Sequence, residues 1–97
     1  DGYTILMWAI TKQKFRVAQI LLSIGADPLI RDNYGGLASD LAPFDSYLFP
    51  ILKGYELLYA TFLNNLYLVK RTIEEGADIN FQGLGGYNAL LIAVEQN

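Results

Sequence analysis

The side chains that most often perform enzymatic chemistry are missing from this sequence. It contains no histidine and no cysteine, so the commonest general base, the usual nucleophile–base pairs and the soft metal ligands are absent. The serines Ser23, Ser39 and Ser46 therefore have no histidine partner. Glu74 and Glu75 are adjacent, and adjacent side chains on a helix point ~100° apart, so we interpret them as a solvated face. No catalysis is expected from these residues.

Two further stretches match binding motifs only in part. GLGGYN (83–88) precedes a helical pattern and could hold an anion on backbone N–H groups. It lacks the third glycine of a dinucleotide-binding loop and follows no strand of a nucleotide-binding fold, so we interpret it as a hairpin tip. Lys12, Lys14 and Arg16 form a small basic cluster, which we interpret as a solvated loop. No cofactor, metal or small-molecule substrate is therefore expected.

The composition of the chain argues against some classes of binding partner and bears on its location. The chain has 97 residues, enough for one small domain, and 53% of them are hydrophobic, with a mean hydropathy of +0.24. The net charge of −3 argues against nucleic acid, which requires a basic face. Apolar runs such as 48–52 fall far short of the ~20 residues of a membrane span, and no signal peptide opens the chain. The absence of cysteine is compatible with the cytoplasm, which we predict as its location.

One turn sequence occurs twice. Residues 25–36 read GADPLIRDNYGG, and residues 76–87 read GADINFQGLGGY. The glycine of each GAD lies 16 residues after an alanine, Ala9 in the first copy and Ala60 in the second. A unit that recurs with fixed internal spacing predicts a repeat protein, in which each unit buries its apolar faces against its neighbours.

Helical periodicity precedes each GAD. Apolar residues follow i, i+3, i+4, i+7 spacing through 15–24. In the later copy Leu66, Leu68, Val69 and Ile73 are predicted to face one way on a second helix.

The turns themselves have a predictable conformation. Gly25 and Gly76 stand where a helix ends in a left-handed residue, which glycine adopts at least cost. Asp27 and Asp78 can accept backbone N–H bonds from the turn that follows. We expect a protruding hairpin after each.

A period of 33 residues relates Gly2 to Gly35 and Ala9 to Ala42. Together with two short helices and a GAD-led hairpin, this period resembles the ankyrin repeat. The resemblance implies an all-α solenoid of stacked antiparallel helix pairs with protruding β-hairpin-like turns, in a single domain over 1–97. Its repeats are expected at about 2–34, 35–54 (shortened), 55–85 and 86–97 (partial).

The sequence departs from the family pattern in two ways. The Thr-Pro-Leu-His of many members is replaced at Thr4 by Thr-Ile-Leu-Met, so contacts between repeats are expected to be apolar. The interval from Ala42 to Ala60 is 18 residues instead of 33. We predict a short helix at about 46–53, a separate helix from Tyr55, and no hairpin between them. Pro43 and Pro50 are predicted to shorten or tilt these helices.

The resemblance also predicts an incomplete array. Residues 89–97 align with the first helix of a repeat whose second helix is absent, and Asp1 aligns with the interior of a hairpin. The stretch 43–56, which lacks a hairpin, is expected to be the first to open, because such arrays are stabilised by neighbouring repeats.

The resemblance implies a protein-interaction module, without enzymatic activity, that binds a partner protein through its concave face of hairpin tips and first helices. Tyr34, Phe62 and Leu84 are predicted anchors. The full predicted set is Lys12, Arg31, Asn33, Tyr34, Phe62, Leu63, Gln82, Leu84, Tyr87 and Glu95. Asn80 lies in a context that some members present to an asparaginyl hydroxylase, but we favour a hydrogen bond within its turn.

Two alternatives stay open at this point. The array could be the targeting or regulatory module of a larger enzyme or effector whose catalytic domain lies outside these residues. It could also dock against another part of its own chain in a purely structural role. A fold alone does not choose among these functions.

Overall fold

A computed structural model describes residues 2–83 of the chain, and these residues form helices, turns and no strand. Their elements are α1 (Ile5–Thr11), α2 (Phe15–Ser23), a 3₁₀ helix (Ala38–Leu41), α3 (Leu48–Phe62) and α4 (Leu66–Glu74). The predicted all-α fold class is confirmed. Internal contacts divide the chain into two compact units, 1–52 and 53–97, which are described separately below.

The first unit is built on α1. The Thr4 hydroxyl caps this helix by accepting a hydrogen bond from the Met7 N–H at 3.1 Å. The helix packs against α2 and against the 3₁₀ helix. Leu6, Met7 and Ile10 from α1 are buried, as is Leu22 from α2. These side chains form the apolar core of the unit.

The two units share the same backbone conformation 51 residues apart. Gln13 and Asn64, in the turns that end α1 and α3, both have positive φ angles, of 60° and 55°. At the ends of α2 and α4, Gly25 and Gly76 have φ angles of 111° and 106°. The predicted unusual backbone at both glycines is confirmed, and a side chain at either position would be strained.

The turns after these glycines also match. The Asp27 carboxylate accepts a hydrogen bond from the Leu29 N–H at 2.8 Å, and the Asp78 carboxylate accepts one from the Asn80 N–H at 2.8 Å. The predicted Asx turns are therefore present in both copies. The second bond shows that the Asn80 backbone takes part in its turn.

The stretch 35–42, which the 33-residue period relates to α1 of the first repeat, forms only the 3₁₀ turn Ala38–Leu41. The physical reason is Pro43, whose ring pushes the preceding residue out of the helical region. Ala42 accordingly has an extended backbone, with φ −86° and ψ 136°. The Asp40 carboxylate accepts a hydrogen bond from the Leu37 N–H at 2.8 Å and stabilises the short turn.

The predicted break between two helices near Tyr55 is wrong. Helix α3 runs without interruption from Leu48 to Phe62, and the absence of a hairpin within it agrees with the prediction. Pro50 lies in the first turn of α3, where its missing N–H would have no intrahelical partner anyway. Gly54 stays helical, and a Cβ there would overlap the ring of Phe81. The glycine is therefore a packing site instead of a helix end.

Helix α4 follows a turn at 63–65 and is capped by Asn65, whose side chain accepts a hydrogen bond from the Leu68 N–H at 3.1 Å. Its predicted apolar stripe is only partly covered. Leu68 is half-buried, whereas Leu66 and Ile73 are exposed. Thr72 is buried instead, with its hydroxyl donating to the Leu68 carbonyl at 2.6 Å. Periodicity identified the helix but not the extent to which its stripe is covered.

Candidate partner-binding surface

The turn at 32–36, where the first hairpin tip is predicted, is held by one carboxylate. Asp32 accepts hydrogen bonds from the N–H groups of Tyr34 and Gly36, both at 2.8 Å. The Asp32 N–H also donates to the Gly36 carbonyl at 2.9 Å, which closes the turn. Tyr34 stands on this tip with 89% of its surface exposed. An aromatic ring is thus presented to solvent on a fixed backbone.

Polar residues surround Tyr34 along the chain. The Arg31 guanidinium donates to the Gly35 carbonyl at 2.7 Å, so this side chain braces the tip as well as being exposed. Asn33 is exposed and lies beside Gly2, where an added Cβ would come within 3.0 Å of the Asn33 backbone nitrogen. Both residues could contact a partner, and both also contribute to the structure of the tip.

In the second unit, the exposed apolar residues Phe62 and Leu63 mark the end of α3. Phe62 is 65% exposed and Leu63 is 62% exposed. They immediately precede the turn at Asn64, whose left-handed backbone separates them from α4. Gln82 is exposed as well. Leu84, Tyr87 and Glu95 lie outside the described residues.

Every predicted binding residue within 2–83 is thus exposed in its own unit. Four of them belong to the first unit: Lys12, Arg31, Asn33 and Tyr34. Three belong to the second: Phe62, Leu63 and Gln82. Their joint contribution to one binding face stays a prediction.

Sequence reasoning missed one aromatic residue with functional potential, Trp8. It is the only tryptophan of the chain and is 46% exposed on α1. Its ring meets Tyr3 edge-on at a centroid distance of 5.3 Å. The Lys12 ammonium lies 5.8 Å from the ring centroid, in cation–π range. The sequence does contain a signal for this contact, because Lys12 follows Trp8 by four residues and such residues lie on the same face of a helix.

A charged network occupies the second unit. The Lys53 ammonium lies 3.1 Å from the Glu56 carboxylate and 2.8 Å from that of Glu75. Lys53 is only 6% exposed and Glu56 only 1%. Two buried opposite charges offset the desolvation of each other, and removing one partner is costly. The network joins α3 to α4, and we interpret it as structural.

Glu75 extends the network to the surface. Its second oxygen lies 3.1 Å from the Arg71 guanidinium, which also donates to the Tyr67 hydroxyl at 3.2 Å. These side chains line a shallow open depression of ≈ 330 Å³ together with Lys70 and Glu74. The interpretation of Glu75 as a merely solvated side chain is therefore wrong. Little in the sequence indicates this contact, since Lys53 lies 22 residues before Glu75.

The contacts of the network shift two pKa values. The hydrogen bond from Lys53 is the largest influence on Glu75; it lowers the pKa of Glu75 below the ordinary value of 4.5, against the opposing effect of burial and with help from Arg71. Burial alone would lower the pKa of Lys53. The bonds and charges of Glu75 and Glu56 outweigh burial and raise the pKa of Lys53 above the ordinary 10.5. Both charged forms are favoured at neutral pH.

Acidification is expected to destabilise the fold through Glu75. Because its pKa is lower in the folded chain, the unfolded chain binds its proton first as pH falls. The stabilisation is present above about pH 4.5 and is lost as pH falls through the lower folded pKa. Thermal melting from neutral pH to about pH 3 measures this loss. In Glu75→Gln the contribution of this carboxylate to stability is absent, so the melting temperature should fall less steeply as the pH is lowered. An unchanged dependence of the melting temperature on pH would refute the assignment.

Within 2–83, no group of three or more Asp and Glu side chains is placed to hold a metal ion. No helix in this part of the chain is long and apolar enough to cross a membrane. The features that remain are exposed aromatic and apolar side chains with nearby polar groups, which are typical of protein-binding surfaces.

Paired helices, a glycine-ended second helix and an Asx-led turn, repeated at a fixed offset, define a helical-repeat protein. Residues 1–33 match the family model described as Ankyrin repeat. This match makes residues 1–33 similar to an ankyrin repeat. The match covers about a third of the chain, and the second unit repeats its backbone pattern outside the matched range. No curated protein matches the chain.

The matched family has a general function. Ankyrin repeats are generally protein–protein interaction modules, and they are typically non-catalytic. A protein is therefore the class of partner that the family supports.

Proposed function

We propose that this chain binds a partner protein through the hairpin tip at Arg31–Tyr34 and the apolar end of α3, at Phe62 and Leu63. The observation that carries the proposal is Tyr34, an almost fully exposed aromatic side chain on a turn fixed by Asp32. Large aromatic side chains dominate the binding energy at protein interfaces because they bury much area with few rotatable bonds.

The fixed backbone under Tyr34 strengthens the proposal. Residues that are ordered before binding lose less conformational entropy when the complex forms. Three hydrogen bonds to Asp32 and Gly36 already define this tip. The exposure of Phe62 and Leu63 adds apolar surface in the second unit. Lys12, Arg31 and Asn33 supply polar groups, which contribute more to association rate and specificity than to affinity.

The test begins with affinity capture from the source cell and identification of the bound protein by mass spectrometry. Affinity for that protein is then measured for Tyr34→Ala and Phe62→Ala. Each truncation is expected to cost about 2 kcal/mol, or roughly thirtyfold in Kd, with the melting temperature unchanged.

Tyr67→Ala is the matched control, because Tyr67 is a comparably exposed aromatic residue on α4, outside the proposed surface. Its affinity should equal that of the original chain. Unchanged affinity in Tyr34→Ala and Phe62→Ala, together with lowered melting temperatures, would show that these side chains stabilise the fold and do not bind the partner.

One observation favours a second candidate, the structural role. Val17, Ile20 and Ile24 form an exposed apolar stripe on α2, and a stripe of this kind suits packing against another part of the same protein. Ile24→Lys separates the two candidates. If it abolishes binding while Tyr34→Ala and Phe62→Ala do not, the stripe is the contact surface.

The repeat boundaries at about 2–34, 35–54, 55–85 and 86–97 belong to this proposal, as does a cytoplasmic location. The repeat boundaries are supported by the 51-residue recurrence of the turns at Gly25 and Gly76. The cytoplasmic location is supported by the absence of cysteine. The chain itself is proposed to be non-catalytic, consistent with its lack of histidine and cysteine.

A further inference from the structure

We infer that the partner presents an acidic segment with an apolar side chain, and that this segment docks on Trp8 and the basic cluster Lys12, Lys14 and Arg16. The inference rests on the proposed function, since it specifies the chemistry of a protein partner. It concerns a different part of the first unit from the hairpin tip. Its evidence is the combination of an exposed aromatic ring with cations that have no ion-pair partner among residues 2–83.

The basic cluster has no ion-pair partner among the described residues. Lys12, Lys14 and Arg16 are all exposed, and no acidic side chain within 2–83 lies within ion-pair distance of them. The chain as a whole is acidic, with a net charge of −3, yet three of its seven basic residues lie within these five positions. A local excess of positive charge on an acidic protein attracts negatively charged groups from solution.

The cluster is confined to one copy of the repeated unit. The residues 51 positions later are Leu63, Asn65 and Tyr67, all of them uncharged. The backbone of the two copies is the same at this turn, so the shared fold does not require cations there.

Lys14 also lowers the stability of its helix. It occupies the N-cap position of α2, makes no capping hydrogen bond and is followed by no acid in the first turn. The equivalent residue of α4, Asn65, caps its helix in the ordinary way. A cation at a helix start opposes the helix dipole, and a lysine there gives up a cap. A residue that weakens local structure is expected at a functional site.

Trp8 supplies the apolar part of the surface. Nearly half of its surface is exposed, and Tyr3 fixes its ring from one side by an edge-on contact. Lys12 lies in cation–π range of the same ring. A carboxylate that binds Lys12 would therefore bring its neighbouring side chain close to the indole. This juxtaposition favours an acidic peptide over a nucleic acid, which the net charge of the chain repels.

The experiment uses the full chain and a short synthetic peptide in which glutamates flank a single leucine. Binding is followed by the fluorescence of Trp8, the only tryptophan. We expect saturable binding that weakens as sodium chloride is raised, since exposed charges are screened by salt. The same peptide with glutamine in place of glutamate should not bind. Equal binding of the two peptides, or no binding of the acidic one, would overturn the inference.

Lys14→Asn is expected to change stability and peptide affinity in opposite directions. It should restore the helix cap and raise the melting temperature by about 4–8 °C. It should also weaken binding of the acidic peptide about fivefold. Lys70→Gln removes one charge from an exposed lysine on α4 and is the matched control, with unchanged affinity expected. A Lys14→Asn variant that is more stable but binds equally well would refute the role of Lys14.

A short single-stranded RNA tests the other class of polyanion. If it binds as tightly as the acidic peptide, the cluster attracts any polyanion and the inference of a protein segment is wrong. The proposed function can fail separately from this inference. A captured partner whose affinity falls in Tyr34→Ala but not in Lys14→Asn would support the proposed function and contradict the acidic segment.

Discussion

Replacing Lys53 by methionine is expected to lower the free energy of unfolding by about 3–5 kcal/mol. Methionine keeps much of the volume of lysine but removes the ammonium from two carboxylates, those of Glu56 and Glu75. Glu56 is almost fully buried, so its charge would lose compensation in a place that water does not reach. Urea denaturation followed by circular dichroism measures the change.

Two further variants distinguish the buried pair from ordinary surface charge. Arg71→Met removes the exposed partner of the same Glu75 and should cost much less than Lys53→Met, because exposed ion pairs contribute little to stability. Lys53→Met combined with Glu56→Leu replaces both buried charges with apolar groups and should recover most of the lost stability. If Lys53→Met proves no more harmful than Arg71→Met, the buried network does not stabilise the fold as argued.

Gly54→Ala is expected to destabilise the chain by about 2 kcal/mol, although the same change inside a helix normally stabilises it by about 1 kcal/mol. The reason is Phe81, whose ring packs against the backbone of α3 where a Cβ would have to be. The ring also meets Tyr55 edge-on at a centroid distance of 5.1 Å, so it cannot move away freely. Thermal and urea unfolding measure the effect.

The control is a double-mutant cycle with Phe81→Ala. In that background the space beside Gly54 is open, and Gly54→Ala should recover the ordinary helix gain of about 1 kcal/mol. A destabilisation of equal size in both backgrounds would mean that Phe81 is not the cause. The cycle thus separates side-chain overlap from any general intolerance of the helix.

The sequence predicted the parts of the fold that local chemistry decides. Gly25 and Gly76 end their helices because few other residues adopt that backbone. Asp27 and Asp78 shape the turns through bonds to residues two positions away. Such interactions depend on near neighbours, so spacing and residue type suffice to find them.

The parts that failed depend on residues far apart in the chain. The predicted break between a helix at about 46–53 and a separate helix from Tyr55 fell at Gly54, and only the distant Phe81 explains why this glycine lies inside α3. Lys53 and Glu75 pair across 22 residues, which no periodicity reveals. The 3₁₀ turn before Pro43 differs from these cases, because the restriction that proline places on Ala42 is local.

The candidate surface was predicted in the same uneven way. Tyr34 was found because it follows a GAD turn at a hairpin tip, and its exposure is confirmed. Trp8 was missed, because half-exposed aromatic residues on a helix are not distinguished by periodicity from core residues. The proposed role of Trp8 rests on its contacts with Tyr3 and Lys12, which the sequence does not reveal.

The hydrogen bonds of Asp32 have a kinetic consequence. Because the tip backbone at Tyr34 and Gly36 is fixed before any encounter, a partner has no slow rearrangement to wait for. Association would then follow a single exponential whose rate rises linearly with partner concentration, without the plateau that a conformational step produces. Differences in affinity between partners would then lie mainly in the dissociation rate of the complex, which depends on how tightly the partner holds the Tyr34 ring.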